Sequence, residues 1–565
     1  MATAKRLYLY IVSGVGLGMI LWSCYSLLHI LLDGLGFGPG GSGSTALSSN
    51  ANKDALSMAI AVLGVGLLVW LFHWGLVVAM VSGQEDAPAA ERASIVRSVY
   101  LAVIGFTALA IAAYVWATIA SSAIADAIGA KLSYSAIDYS VYVAIALPAT
   151  AAWAYHAFVR AQDLRHGQRL IAGAAAWVSR LYLYGAAFIG IVGAINGVAS
   201  LISAIGYQLA MNPSGAQYGM LPGSSAPWWE RPAVAALVAI AIWGFVWLIH
   251  WLYSNRLRAS EGPQGVAERT SRVRVAFLML VVLWGVETVA SGLILSIWMS
   301  TMRILGLDLG SGPLWYLVIV PPATTIPAAL AWALHRRRGI AESATGPAGV
   351  SARRISGYLT ALVGIGLLAV GASVLLWLAI SKVISPASLD HDAWKWSLSM
   401  SAGYLVVGAL LWPIPWLFAQ RRRRFEGVIE TESSSRGFYL YTIVAASTLI
   451  SAGSLALILY RLARWALGLP EPGFASEITA PLAAFMVAVT LLAYHAIVLV
   501  RDANPPAVPE PAAPVAPGAA PQTPAAPPDP TSATPSAIPP ATPPVPRRSS
   551  RSGSGSGSGS EAPPS

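Results

Sequence analysis

Leu56-Ser-Met-Ala-Ile-Ala-Val-Leu-Gly-Val-Gly-Leu-Leu-Val-Trp70-Leu-Phe-His73-Trp74-Gly-Leu-Val-Val-Ala-Met-Val81 contains no Asp, Glu, Lys or Arg. Coiled as a helix rising about 1.5 Å per residue, it outlasts the roughly 30 Å hydrocarbon core of a bilayer. Its apolar residues go all round the helix, whereas a helix on a soluble core keeps a polar face. Val234 to Tyr253 and Leu482 to Val500 read the same way. The whole chain agrees, for its 565 residues are 56% hydrophobic and 11% charged, with a mean hydropathy of +0.63. A soluble chain carries about 25% charged residues. The expected fold class is an all-α integral membrane protein of about twelve transmembrane helices. They fall near 7–32, 55–81, 97–125, 139–160, 181–209, 232–255, 273–302, 314–335, 355–384, 396–419, 438–466 and 479–500.

The net charge of +10 is unevenly placed. Of 35 Lys and Arg, eight (Lys53, Lys131, Arg231, Arg303, Lys382, Lys395, Arg461 and Arg464) lie in the loops after odd-numbered helices or in the last turns leading into them. The rest lie in the N-terminal segment, the loops after even-numbered helices and the C-terminal tail, and acidic residues show no such skew. This positive-inside pattern puts both termini in the cytoplasm. The runs Arg336–Arg338 and Arg421–Arg424 follow apolar helices directly and suit anionic lipid headgroups. The bilayer is thus the expected partner, and nucleic acid is not. The single cysteine, Cys24, permits neither a disulfide within the chain nor a Cys-based zinc site.

Self-similarity divides the chain further. Arg6-Leu-Tyr8-Leu-Tyr10 opens helix 1, Arg180-Leu-Tyr182-Leu-Tyr184 opens helix 5, and Arg354 with Tyr358 opens helix 9. Helices 3, 7 and 11 open instead on Ser94-x-x-Arg97, Ser271-x-x-Arg274 and Ser433-x-x-Arg436. Helices 2 and 6 carry Trp70-Leu-Phe-His73-Trp74 and Trp247-Leu-Ile-His250-Trp251, while helix 10 has Trp412-Pro-Ile-Pro415-Trp416. Helices 4, 8 and 12 carry His156, His335 and His495 in related settings. The repeating unit is therefore four helices, with copies at 5–163, 179–338 and 353–502. Four is even, so the copies run parallel across the membrane. The recurring opening also argues that helix 1 is a span and not a cleaved signal peptide. From 504 to 565 Pro and Ala give way to a Gly-Ser alternation; this segment is expected to be a disordered cytoplasmic tail, a possible dock for a protein that reads proline-rich sequence.

The Arg-Leu-Tyr-Leu-Tyr opening and the four-helix unit resemble a bacterial family of multi-pass membrane domains of unknown function, present in three tandem copies. That resemblance implies a fold and a plasma-membrane location, and no chemistry.

Two groups of residues stand out. His73, His156, His250, His335 and His495 fall in the inner leaflet or at its interface. They suit an aromatic belt with hydrogen-bonded imidazoles, or a clasp between each histidine and the Tyr or Arg opening its own hairpin. Paired haem ligation would instead need two histidines facing one cavity. The second group is a candidate buried polar site in the middle copy, where Asn196-Gly-Val-Ala-Ser200 parallels Glu287-Thr-Val-Ala-Ser291 at similar depth. Prolines in the even-numbered helices and small residues such as Gly14, Gly16, Gly18, Gly64 and Gly66 read as packing features. No phosphate loop, zincin motif or nucleophile with its base is present, so no enzyme activity, cofactor or metal is expected. Transport of a small solute or ion is the first expectation, and a non-catalytic scaffold or sensor using the tail is the alternative.

Overall fold

A computed structural model describes residues 2–38, 50–82, 86–129, 137–165, 173–211, 230–307, 320–343, 347–386, 392–468 and 473–504. They belong to one compact unit, and helices with their connecting turns are the only regular structure among them. The tail expected beyond Asn504 and most of the longer outer loops lie outside the described residues. In chain order the elements are α1 (Ala2–Leu32), α2 (Asn50–Val81), α3 (Asp86–Arg92), α4 (Ile95–Ala127), α5 (Tyr139–Arg165), α6 (Ala174–Met211), α7 (Glu230–Ala259), α8 (Pro263–Arg269), α9 (Arg272–Ile304), α10 (Val320–Ser343), α11 (Pro347–Ile384), α12 (Ala393–Leu411), α13 (Pro413–Glu426), α14 (Val428–Thr431), α15 (Ser434–Ala466) and α16 (Phe474–Ala503).

Eleven helical stretches among the described residues are long and apolar enough to cross a membrane, against the twelve expected. The one not counted is α10: the expected span, 314–335, begins outside the described residues, and the described part, from Val320, carries Pro321, Pro322 and Pro327 before Arg336–Arg338. The tenth expected helix is split. Pro413 and Pro415 have no N–H to donate, so the chain turns at Trp412 between α12 and α13. Pro148 and Pro327 stay within unbroken helices.

Three short helices, α3, α8 and α14, were not foreseen. Each sits between the second and third long helices of its four-helix set, one residue before Ser94, Ser271 or Ser433. Ser94 and Ser271 then cap α4 and α9, their hydroxyls accepting from the Arg97 and Arg274 amides at 3.3 Å.

Three aromatic cores recur along the chain. Each joins a Tyr from one helix, a Trp from the next and a third ring two helices on: Tyr10–Trp74–Tyr100, Tyr184–Trp251–Phe277 and Tyr358–Trp416–Tyr439. Ring centroids stand 5.0–5.7 Å apart for the contacts made by Tyr100, Phe277 and Tyr439 with their Trp and Tyr neighbours. Such pairs contribute roughly 0.5–1.5 kcal/mol each beyond the area they bury. The first two helices of each set approach closely through glycine. A Cβ added at Gly16 would lie 2.9 Å from the Trp70 nitrogen and one at Gly190 2.5 Å from the Trp247 nitrogen, and Gly364 meets the Trp412 backbone in the same way. Of the other early glycines, Gly66 faces Met19 at 2.9 Å, whereas Gly18 and Gly64 have open space.

Candidate functional site: three buried charge clasps

At one end of each aromatic core lies a cluster of two arginines, two carboxylates and a tyrosine. In the first, Arg6 Nε lies 2.5 Å from Glu91 Oε2, and Tyr10 donates to Glu91 Oε1 at 3.2 Å. Arg97 donates to Tyr10 Oη at 3.4 Å and forks onto Asp163 through Nε (2.7 Å) and Nη2 (3.0 Å). The second repeats the circuit. Arg180 binds Glu268 at 2.8 Å, Tyr184 donates to Glu268, Arg274 donates to Tyr184 at 3.0 Å and forks onto Glu342 at 2.7 and 2.8 Å. In the third, Arg354 Nε lies 2.7 Å from Glu430, Tyr358 donates to Glu430 at 2.6 Å, and Arg436 donates to Tyr358 at 3.2 Å. Arg436 then forks onto Asp502 at 2.6 and 3.2 Å.

The forked arginines are almost wholly buried; Arg97, Arg274 and Arg436 are 2%, 2% and 0% exposed. Each guanidinium also lies 5.1–5.9 Å from the centroid of its Trp, which is Trp74, Trp251 or Trp416. The five-residue circuit of each clasp sets two positive charges against two negative ones, and more exposed charges stand at the margins of two of them, Arg258 and Arg338 at the second and Arg422, Arg423 and Glu426 at the third. Glu342 lies beyond the apolar run of α10. Burial pushes its carboxyl up, but the Arg274 hydrogen bonds and the charges of Arg274 and Arg258 outweigh that and hold it below the usual carboxylate range.

One layer further in, the histidines join the same cores. His156 has Nδ1 2.7 Å from the Ala152 carbonyl and Nε2 3.5 Å from Tyr100 Oη. His495 has Nδ1 2.9 Å from the Leu491 carbonyl and Nε2 3.3 Å from Tyr439 Oη. A carbonyl can only accept, so Nδ1 carries the proton and Nε2 accepts from the tyrosine. His335 keeps the first bond, at 2.8 Å to Ala331, but its Nε2 has no partner, because Phe277 stands where the other cores have tyrosine. His73 meets Tyr8 Oη at 3.0 Å, and His250 packs on the Tyr182 ring at 5.8 Å. These last two are contacts with the residue opening their own hairpin. His156 and His250 border one cleft, but both nitrogens of His156 are engaged, so the two rings are not a pair of open iron ligands. No group of three metal-binding side chains occurs among the described residues.

The candidate buried polar site is corrected. Glu287 and Ser291 are exposed on α9 and bond to each other at 3.0 Å, while Asn196 and Ser200 are exposed on α6, where with Ala236 and Trp243 of α7 they line an open cleft of about 600 Å³ that Glu287 and Ser291 do not border. Within the two arginine runs, Arg338 is held by Glu342 at 3.1 Å and Arg423 by Asp502 at 2.6 Å, while Arg422 stands at the margin of the third clasp, 3.4 Å from Glu430.

The clasp carboxylates were missed in the sequence although they carry a signal. Glu91-x-x-Ser94-x-x-Arg97, Glu268-x-x-Ser271-x-x-Arg274 and Glu430-x-x-Ser433-x-x-Arg436 share one spacing. His156, His335 and His495 are each followed seven residues later by Asp163, Glu342 or Asp502, which are two helical turns along the same face.

Residues 6–151 and 354–490 match the family described as Domain of unknown function (DUF5671), and the chain belongs to that family. Both matches begin at a clasp arginine, Arg6 or Arg354. The intervening segment, which carries Phe277 and the longer Glu342, lies outside the matched residues. No curated protein and no solved structure matches.

Proposed function

We propose that this DUF5671 protein is a non-catalytic scaffold of the bacterial plasma membrane. In this reading three parallel four-helix repeats cross the bilayer, the clasp ends and both termini face the cytoplasm, and the proline-rich tail recruits a protein partner. One observation carries it: the almost wholly buried Arg97, Arg274 and Arg436 are each forked onto a carboxylate of their own clasp, while Glu287 and Asn196 are exposed. Ionisable side chains deep in apolar helices commonly mark a solute or proton path; a scaffold uses them to fix one packing. The eleven apolar helices and the skew of Lys and Arg support the location and its orientation.

The lone Cys24 makes the topology directly testable. In a Cys24→Ser background, Ser260→Cys is expected to react with an impermeant maleimide only from the cytoplasmic side, and Leu305→Cys only from the other. Labelling of both from one side overturns the topology. In proteoliposomes carrying a pH dye, wild type and Glu287→Gln are expected to show the same absence of proton flux. A saturable flux lost in Glu287→Gln overturns the scaffold reading in favour of transport.

A further inference from the structure

Two clefts occupy the same place at successive junctions between the four-helix sets. The first, about 400 Å³, lies between the end of α5, the start of α6 and the end of α7. The second, about 640 Å³, lies between the end of α10, the start of α11 and α13. Their walls correspond: Ala161, Ile249 and Tyr253 in the first take the places of Ile340, Ile414 and Phe418 in the second. Volumes in this range suit a ligand of moderate size, and the mostly apolar walls suit hydrocarbon.

Each cleft also holds a cation that the clasps do not neutralise. Arg160 gives Nη2 to the Ser179 carbonyl at 2.7 Å and lies 4.3 Å from the Tyr182 ring centroid. Among the described residues no carboxylate lies within ion-pair distance of it, unlike the clasp arginines nearby. In the second cleft Arg336 lies 5.9 Å from the Trp332 ring centroid, and among the described residues no carboxylate lies within ion-pair distance of it. Arg422 has a buried Nη2 without a hydrogen-bond partner, and the carboxylate near its Nε, Glu430, is already held by Arg354. The arginines come from non-equivalent positions. Arg160 corresponds to Gly339, Arg336 to Ala157 and Arg422 to Leu257, when the copies are aligned on their His and Trp residues. The cleft keeps a cation although its source has changed.

We infer that the two clefts bind an anionic phospholipid, with its phosphate on Arg160 in the first and on Arg336 and Arg422 in the second. An acyl chain lies along the apolar wall. The inference rests on the membrane reading above, which puts the clefts at the level of the inner headgroups. A free phosphate would meet the arginine but leave the apolar wall empty; a zwitterionic lipid would fill the wall but bring its own cation to the arginine.

The test uses the purified full-length protein in an uncharged detergent, with native mass spectrometry counting retained lipids. Phosphatidylglycerol is expected to remain bound as two molecules; phosphatidylcholine of the same chains and inorganic phosphate are not. Arg160→Gln is expected to weaken one of the two by at least about tenfold, the loss of a charge-assisted contact. Arg336→Gln/Arg422→Gln should weaken the other. Ala161→Phe fills the first cleft while keeping its arginine and should also remove one lipid, which covers the case in which Arg160→Gln does not fold. Two phosphatidylglycerols retained by Arg160→Gln or Ala161→Phe overturn the inference, as does equal retention of phosphatidylcholine. Binding of inorganic phosphate that displaces the lipid points to a free-anion site and also overturns it. Alkaline carbonate extraction of native membranes separates the two readings: protein that stays in the pellet but retains no lipid refutes the clefts alone, and protein released by carbonate refutes both.

Discussion

Removing one arm of a clasp should cost far more than removing the clasp pair. Arg97 and Asp163 have side chains 2% and 5% exposed, joined by two hydrogen bonds of 2.7 and 3.0 Å. Arg97→Met leaves the Asp163 carboxylate buried without its counter-charge, which typically costs about 3–5 kcal/mol. At about 1.4 kcal/mol per decade this is two to three and a half powers of ten in the folded-to-unfolded ratio. Arg97→Met/Asp163→Leu removes both charges. The double variant should recover to within about 1 kcal/mol of wild type, because apolar groups of similar volume replace a buried pair at little cost. The residual loss comes from the Tyr10 hydroxyl, which no longer accepts from Arg97 but still donates to Glu91. Reversible unfolding in mixed micelles, followed by tryptophan fluorescence, measures all three proteins. An Asp392→Asn variant, which breaks the more exposed pair with Lys395, serves as the control and should change stability by less than about 1 kcal/mol. If Arg97→Met costs no more than that control, the clasp is a screened surface network. If the double variant is as unstable as the single one, the loss does not come from an orphaned charge.

Three further outcomes follow from the same geometry. Phe277→Tyr supplies the hydroxyl that the Nε2 of His335 lacks and should raise stability by about 1 kcal/mol; no gain, or a loss, in the micelle assay would show that the pocket cannot take the oxygen. Because the folded Glu342 carboxyl is held below its ordinary value of 4.5, its share of stability is complete above that pH and is lost as pH falls through the lower folded value. Arg274, Arg258 and Arg338 are the charged groups that face it, at 2.7, 3.7 and 3.1 Å. Glu342→Gln should therefore be less stable at neutral pH and flatten the acid limb of a melting-temperature profile, and an unchanged limb would refute the assignment. Gly190→Ala should destabilise by about 1–3 kcal/mol through overpacking against Trp247, whereas Gly18→Ala, facing open space, should be neutral or mildly stabilising; equal effects would show that helix propensity and not the close approach decides.

The contrast between what the sequence revealed and what it concealed follows from helical geometry. Distance along a helix is readable by counting residues, so the long helices are foreseen, and the opening arginines and the histidines are foreseen near the same end of them. Direction around a span needs a reference. On α9, Arg274, Val281, Gly285 and Gly292 are buried and fall within about 20° of one line at 100° per residue. Glu287 is thirteen residues from Arg274, hence about 140° away from that line. Asn196, sixteen residues from the buried Arg180, is about 160° from it on α6. Matching depth made these two residues look like neighbours in a pocket; matching phase would have put both on the outside, as found. The clasp carboxylates were hidden for a different reason. Glu91, Glu268 and Glu430 sit in connections, where a charged residue needs no explanation, and their recurrence becomes informative only once Arg97, Arg274 and Arg436 are known to point inward at the ends of their helices. Phase relative to a buried arginine is thus the step that turns a repeated charge from a solvated loop residue into half of an ion pair. By the same step a polar residue midway along a helix, such as Glu287 or Asn196, becomes one on the exposed face.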